Sequence, residues 1–412
     1  MSLKPTSLPA RLIERRRRRP AVKPRVLIVS PSAEDGGVET YVRSFVRGGV
    51  DRGFELVVCL PNRPGLAPFC RDLNESGART RCLVLTDRAP SGARQALVDL
   101  VRDYLGTSVA LIRSGPGKVM LMLPHPEVSP GAVLAVALLR RGAVVVVHLV
   151  PPDLHVKRQR RMIYSLARRL GQSWVTVSND NHRILTSALQ WEPGAVKVVY
   201  NGVDDAFAAD SGPSVEVRSR VRAELGVPDH ARILLSVGRL NRQKGHDVIL
   251  EGAERVLHDH PDVWWVWAGE GSERAALREA SEARGIQDRV LMLGRVTNVK
   301  DLMRASDLLL FPSRYEGLPL AVLEANMAAL AVIVSDAGSL PEVVRVDVDG
   351  LIVPVDDPEA LASQTRWALS NPARMAQMAA AARERSTSMF TTDRMIDQTL
   401  EILLGDQAVS YA

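Results

Sequence analysis

Short apolar runs and amphipathic stretches alternate along almost the whole chain. Residues 25–30, Arg-Val-Leu-Ile-Val-Ser, are apolar at four consecutive positions, which suits a strand covered on both faces in a parallel sheet. A helix-like run follows over 40–47. The alternation repeats, with strands expected over 54–59, 81–85, 119–123, 143–148 and 174–178 and helices over 67–76, 93–104, 130–140 and 181–189. A second series has strands starting at Ile233, Val263, Val290, Leu308, Val332 and Gly350. Its helices are expected over 215–225, 247–259, 273–284, 320–330 and 358–369, and an amphipathic helix over 390–404 ends the pattern. Strand–helix alternation of this kind builds doubly wound parallel sheets. Chemistry on such sheets gathers at the carboxyl ends of the strands.

Length divides this pattern into units. At 412 residues the chain exceeds what one core holds. The small, acidic, Gly/Pro-containing stretch 205–214 reads as a linker. The expected division is a basic tail (1–24), a first α/β domain (25–205), a second (206–385) and a C-terminal helix (386–412).

Composition and charge change the picture little. Hydrophobic residues at 46% and charged residues at 24% fit a soluble globular protein. No apolar run reaches the roughly 18 residues of a membrane span. Residues 132–150 come nearest and are broken by Arg140-Arg141-Gly142. The three cysteines, Cys59, Cys70 and Cys82, have no metal-binding spacing. Their odd number argues against a disulfide framework, so buried thiols in a reducing, cytoplasmic compartment are expected. The net charge of +6 owes much to Arg15–Arg19, read as a solvated, disordered arm. That arm lacks the apolar core of a secretory signal. No aromatic-interleaved basic patch or nucleic-acid-binding motif is present, so a nucleic-acid partner is not expected. Residues 151–172 mix Lys157, Arg158, Arg161 and Arg169 with Met162, Ile163 and Leu166. That mixture suits either an ordinary surface helix or peripheral contact with an anionic membrane.

The candidate chemistry centres on 311–325, Phe-Pro-Ser-Arg-Tyr-Glu-Gly-Leu-Pro-Leu-Ala-Val-Leu-Glu-Ala. A strand ends at Phe311, and Pro319 stands where a helix begins. Backbone N–H groups at such a helix start converge on one point and suit a phosphate. Glu316 lies before that start and Glu324 beyond it. Arg239 and Lys244 flank another strand-to-helix loop, where two cations would neutralise a diphosphate. Gly36 and Gly37, between the first strand and helix, permit close backbone approach to a ligand. His148 ends one apolar strand, and His125 ends another.

The string Pro-Ser-x-x-Glu-Gly-Leu-Pro-x-x-x-Leu-Glu-Ala, with Gly-Arg-Leu-x-x-x-Lys-Gly at 238–245 and Gly-Gly-Val-Glu at 36–39, resembles the retaining nucleotide-sugar glycosyltransferases of the GT-B fold, group 1 and family 4-like. The resemblance implies two doubly wound, Rossmann-like domains facing a central cleft. It implies that Glu316 contacts the donor sugar and Glu324 the ribose hydroxyls. It implies further that Arg239 and Lys244 clamp the diphosphate, and that His148 faces the sugar from the first domain. These four, Glu316, His148, Arg239 and Lys244, form the expected catalytic set. Gly36, Gly37, Val296, Gly317, Leu318, Leu320 and Ala321 join the donor-binding set, Val296 through the loop that meets the base.

No cofactor is expected beyond the nucleoside diphosphate sugar as co-substrate, and no metal, because the cations take its place. The implied activity is retaining transfer to a saccharide or lipid-linked acceptor in polysaccharide or glycolipid synthesis, in the cytoplasm or at the inner membrane face. A sucrose-synthase-like or phosphorylase-like enzyme, or a weakly active sugar-nucleotide-binding protein, are the alternatives. The chain departs from the family pattern at Asn326, where Met is usual, and at Ala329, Ala331 and Ser339, where Gly, Pro and Gly are usual.

Overall fold

A computed structural model describes residues 23–32, 36–85, 93–140, 142–208 and 215–405. The basic arm, apart from its last two positions, and most of the expected linker lie outside these residues.

The first half runs β1 (Arg25–Val29), α1 (Gly37–Asp51), β2 (Glu55–Pro61), α2 (Ala67–Glu75), β3 (Arg79–Leu83), α3 (Ala93–Ser114) and β4 (Lys118–Leu123). It continues through α4 (Pro130–Leu139), β5 (Val144–Val147), α5 (Arg158–Arg169), β6 (Ser173–Thr176), α6 (Asn179–Leu189) and β7 (Val196–Val198). The second half opens with α7 (Val215–Leu225), β8 (Arg232–Val237), α8 (His246–Asp259), β9 (Val263–Ala268), α9 (Arg274–Ala283) and β10 (Val290–Gly294). Then come α10 (Val299–Ala305), β11 (Leu308–Phe311), α11 (Leu320–Met327), β12 (Val332–Ser335), α12 (Leu340–Val343) and β13 (Leu351–Val353). Three helices close the chain: α13 (Pro358–Ser370), α14 (Pro372–Met389) and α15 (Thr392–Leu404).

The strands form two parallel sheets, ordered β3-β2-β1-β4-β5-β6-β7 and β10-β9-β8-β11-β12-β13. In each sheet the order reverses beside the first strand of its half, β1 or β8. A crevice opens at such a switch point, outside the carboxyl ends. β4, β5, β11 and β12 are buried on both faces, as their unbroken apolar runs predict. Trp265 and Trp267 of β9 are fully buried core residues.

The last helix crosses back to the first half. Arg52, just after α1, donates to Asp393 (2.8 Å) and Asp397 (3.0 Å) of α15, and the hydroxyls of Tyr41 and Thr399 share a buried hydrogen bond of 3.0 Å.

Several expectations need correction. α3 runs on to Ser114, ten residues past the predicted end, because 105–114 contains one Gly and no Pro. α14 was not predicted at all. Its apolar positions show little helical periodicity, but its Ala-rich sequence has high intrinsic helix propensity. The cysteines are not uniformly buried. Cys59 is, Cys70 is half-buried, and Cys82 is exposed, since it sits on the edge strand β3. Among the described residues no helix is long and apolar enough to cross a membrane.

Candidate functional site

The loop from Phe311 to Pro319 leaves β11 at the carboxyl edge of the second sheet. It is stitched to the neighbouring loop that follows β8. Gln243 Nε2 donates to Tyr315 O (2.8 Å), and Arg314 N donates to Gln243 O (2.7 Å). Gly245 lies between them at φ +68°, and a Cβ there would stand 2.1 Å from Pro312 O. Only glycine satisfies both the left-handed backbone and that approach.

This stitching brings two predicted residues together. Lys244 Nζ donates to Glu316 Oε1 at 2.5 Å, with side-chain exposures of 15% and 7%. The ammonium also lies 4.7 Å from the centre of the Phe311 ring. A largely dry pair of this kind costs a good deal to break on one side only. Arg239 is exposed on the same loop, two residues beyond the end of β8.

α11 begins at Leu320 with Pro319 as its N-cap and no side-chain cap. The first-turn amides of Leu320 and Ala321 therefore have no intrahelical acceptor and can donate outward. Glu324 sits one turn into this helix and is half-buried. Desolvation by burial raises its carboxyl to about 7, so near neutrality it holds a proton about half the time.

The first domain closes on this loop. A Cβ on Gly317 would stand 1.9 Å from His148 O, so the two chains touch there backbone to backbone. Asn181 Nδ2 donates to that same carbonyl (3.1 Å), and Asn201 Nδ2 donates to Leu318 O (3.1 Å). His148 is buried just past the end of β5, its Nε2 has no hydrogen-bond partner, and its ring meets Tyr41 edge-on at 5.0 Å. Burial lowers its pKa to about 3, so the imidazole is neutral through the physiological range. His125 lies two residues past the end of the adjacent strand β4.

Gly36 caps α1 and Gly37 is its first residue; both are exposed at the carboxyl end of β1. Glu39 accepts from Gly36 N at 2.9 Å, which fixes the turn. Val296 is half-buried in the loop after β10. Asp349 is wholly buried and ion-paired to Arg345 (2.6 Å) and Arg385 (3.5 Å).

Sequence reasoning missed one residue that ties the domains together. The Glu342 carboxylate on α12 accepts from Asn179 N (2.9 Å), Asp180 N (2.8 Å), Asn179 Nδ2 (2.9 Å) and Tyr200 OH (3.1 Å). A carboxylate from the second domain thus sits on the amino end of α6 in the first. Nothing in the sequence around Glu342 marks it, because its partners lie about 160 residues away.

Residues 217–385 match the family described as Glycosyl transferases group 1, and residues 35–207 match Glycosyltransferase Family 4. An alpha-maltose-1-phosphate synthase of Mycobacterium tuberculosis is 32% identical over 239 residues, 54% of this chain and 59% of that protein. A UDP-Gal:alpha-D-GlcNAc-diphosphoundecaprenol alpha-1,3-galactosyltransferase of Escherichia coli is 28% identical over 187 residues, 44% of this chain and 47% of that one. The chain therefore spans about half the length of the curated relatives it matches. Among solved structures, Anabaena HepE in complex with UDP-glucose superposes with a TM-score of 0.73 at 20% identity, over 92% of this chain and 99% of that one. At that identity the likeness establishes the shared two-domain GT-B fold.

Proposed function

The chain belongs to the group 1 glycosyltransferases, and from that premise we propose that it moves a sugar from a nucleoside diphosphate donor to a saccharide or lipid-linked acceptor, with retention at the anomeric carbon. The observation that carries this reading is the Lys244–Glu316 pair, set beside the uncapped start of α11 and closed over by His148.

In the proposed reaction the bond between the sugar's anomeric carbon and the β-phosphate oxygen breaks, and negative charge grows on the diphosphate. Lys244, Arg239 and the amides of Leu320 and Ala321 stabilise that charge more in the transition state than in the bound donor. The acceptor oxygen adds on the face the diphosphate leaves, and its proton passes to the departing phosphate oxygen. Glu316 positions the sugar, and Glu324 holds the ribose hydroxyls. Gly36, Gly37, Gly317, Leu318 and Val296 shape the donor cleft. Neutral His148 closes the sugar's side, and its unpartnered Nε2 is available to a hydroxyl. The side-chain cations do here what a divalent metal does elsewhere, so the reaction needs neither metal nor cofactor.

Thermal-shift titration with UDP, GDP and ADP tests the donor side, since a ligand preferring the native state raises the unfolding temperature. UDP is the expected stabiliser, because the Anabaena neighbour holds UDP-glucose. No shift with any of the three would sink the proposal. Donor hydrolysis separates enzyme from binding protein: wild type should turn over and Glu316→Ala should not. A trapped glycosyl-enzyme adduct would overturn the front-face route. The relative named as a maltose-1-phosphate synthase favours a second reading, in which the acceptor is a sugar phosphate.

A further inference from the structure

Helices α3, α4 and α5 each join strands stepping the same way across the first sheet, so right-handed crossovers place all three on one side of it. α4 packs between the other two. Over 97–107 α3 is built inside out, and only beyond, at Ala110 and Leu111, does it bury apolar side chains. Its inward face carries Asp99, Asp103 and Thr107, all buried, while Leu97, Val101, Leu105 and Ile112 face solvent. Leu97, Leu105 and Ile112 are 62%, 55% and 68% exposed, far above what an amphipathic helix leaves in water. A groove of about 990 Å³ runs between this helix and the edge strand β3, lined by Cys82, Val84 and Val98 as well. Further exposed apolar side chains on this side of the sheet are Leu138 at the end of α4 and Met162 and Leu166 of α5.

The charged residues lining the described hollows are all arginines. Arg81, Arg102 and Arg113 line the groove, and Arg161 and Arg169 line a second hollow against α5. The three helices contain two acidic residues, Asp99 and Asp103, and both point inward. Two described acids beside α5, Glu127 and Glu192, accept from Arg160 and Arg168 of that helix. A second copy of this chain would bring two cationic rims together. An exposed aliphatic stripe flanked by arginines fits an anionic lipid surface, aliphatics inserted and guanidinium groups on the headgroups.

We infer that the α3–α4–α5 face docks the protein on an anionic bilayer, with the aliphatic stripe of α3 as the inserted element. This deepens the lipid-linked acceptor reading above and rests on it for its purpose. Its test reads vesicle binding, not sugar transfer, so either can fail without the other.

The full chain is co-sedimented with vesicles of phosphatidylglycerol in phosphatidylcholine and with pure phosphatidylcholine. Binding is expected to the anionic vesicles only. The triple variant Leu97→Gln, Val101→Gln, Leu105→Gln should lose about tenfold or more of the partitioning at low and at raised salt. A second triple, Arg102→Gln, Arg113→Gln, Arg169→Gln, should lose it chiefly at low salt and flatten the salt dependence. All six positions are exposed, so both variants should keep the wild-type unfolding temperature. Absence of wild-type binding to anionic vesicles at low salt overturns the inference, as does undiminished binding by the leucine–valine variant. A wild-type dimer in analytical ultracentrifugation that this variant renders monomeric would assign the face to a second copy instead.

Discussion

Glu324 offers the sharpest test of the proposed donor site, because its environment opposes the charge its role requires. Burial raises its carboxyl from 4.5 to about 7, which corresponds to about 3 kcal/mol against ionisation. In the free protein this group therefore favours the native state fully below about pH 4.5, and that advantage is lost as pH rises to about 7. Two ribose hydroxyls donating to the carboxylate would reverse the balance, since hydrogen bonds to the charged form favour it. Donor binding should then release a proton below neutrality, and affinity should climb with pH and level off above about 7. At pH 5.5 only about 3% of the free protein is ionised there, so binding should be about thirtyfold weaker than at the plateau. Titration calorimetry with an intact nucleotide sugar, in two buffers of different ionisation enthalpy, counts that proton directly. The donor's own diphosphate stays ionised throughout, and His148, at about 3, stays neutral. In Glu324→Gln both the proton release and the pH slope should vanish. A flat affinity profile in wild type, or an unchanged slope in the variant, would refute the assignment of Glu324 to the ribose.

Five further outcomes follow from named residues. Lys244→Met leaves the buried Glu316 carboxylate unpaired and should cost about 3 kcal/mol in urea unfolding. Adding Glu316→Gln should restore most of that stability while turnover stays at least about a hundredfold down, which separates the structural from the chemical use of the pair. Gly317→Ala places a methyl group against His148 O and should push the domains apart, cutting donor turnover about tenfold or more without changing the circular dichroism spectrum. Ala329 holds φ at +54°, so Ala329→Gly should stabilise the fold by about 1 kcal/mol in denaturant titration. Asn326 is wholly buried and neither amide atom has a hydrogen-bond partner, so Asn326→Met should add about 1–3 kcal/mol in the same measurement.

The last two bear on how the sequence departs from the family pattern. At Ala329 the left-handed backbone persists without the usual glycine, so the fold itself imposes that turn. At Asn326 a polar side chain occupies a core position of α11. Asn326 lies on the helix that follows the candidate loop and Ala329 in the turn that ends it, and neither change removes a charged or donating group from the loop.

The sequence by itself determined the two parallel sheets and the loops that carry chemistry. Buried parallel strands need unbroken apolar runs, and glycine, proline and charged residues at their carboxyl ends are local signals. That is why Glu316, Glu324, Lys244, Arg239 and His148 could be named from 412 letters. Only the tertiary structure decided which distant residues meet. The Lys244–Glu316 pair spans 72 positions and the Glu342–Asn179 contact 163, and no local pattern encodes either. The inside-out facing of α3 was equally hidden. Helical periodicity shows that a helix has an apolar stripe, but which stripe faces the sheet depends on its neighbours. Close packing against α4, where a Cβ on Gly131 would lie 2.2 Å from Leu100 O, fixes that rotation. The aliphatics are left outward because packing, a property of two surfaces together, outweighed the preference of one.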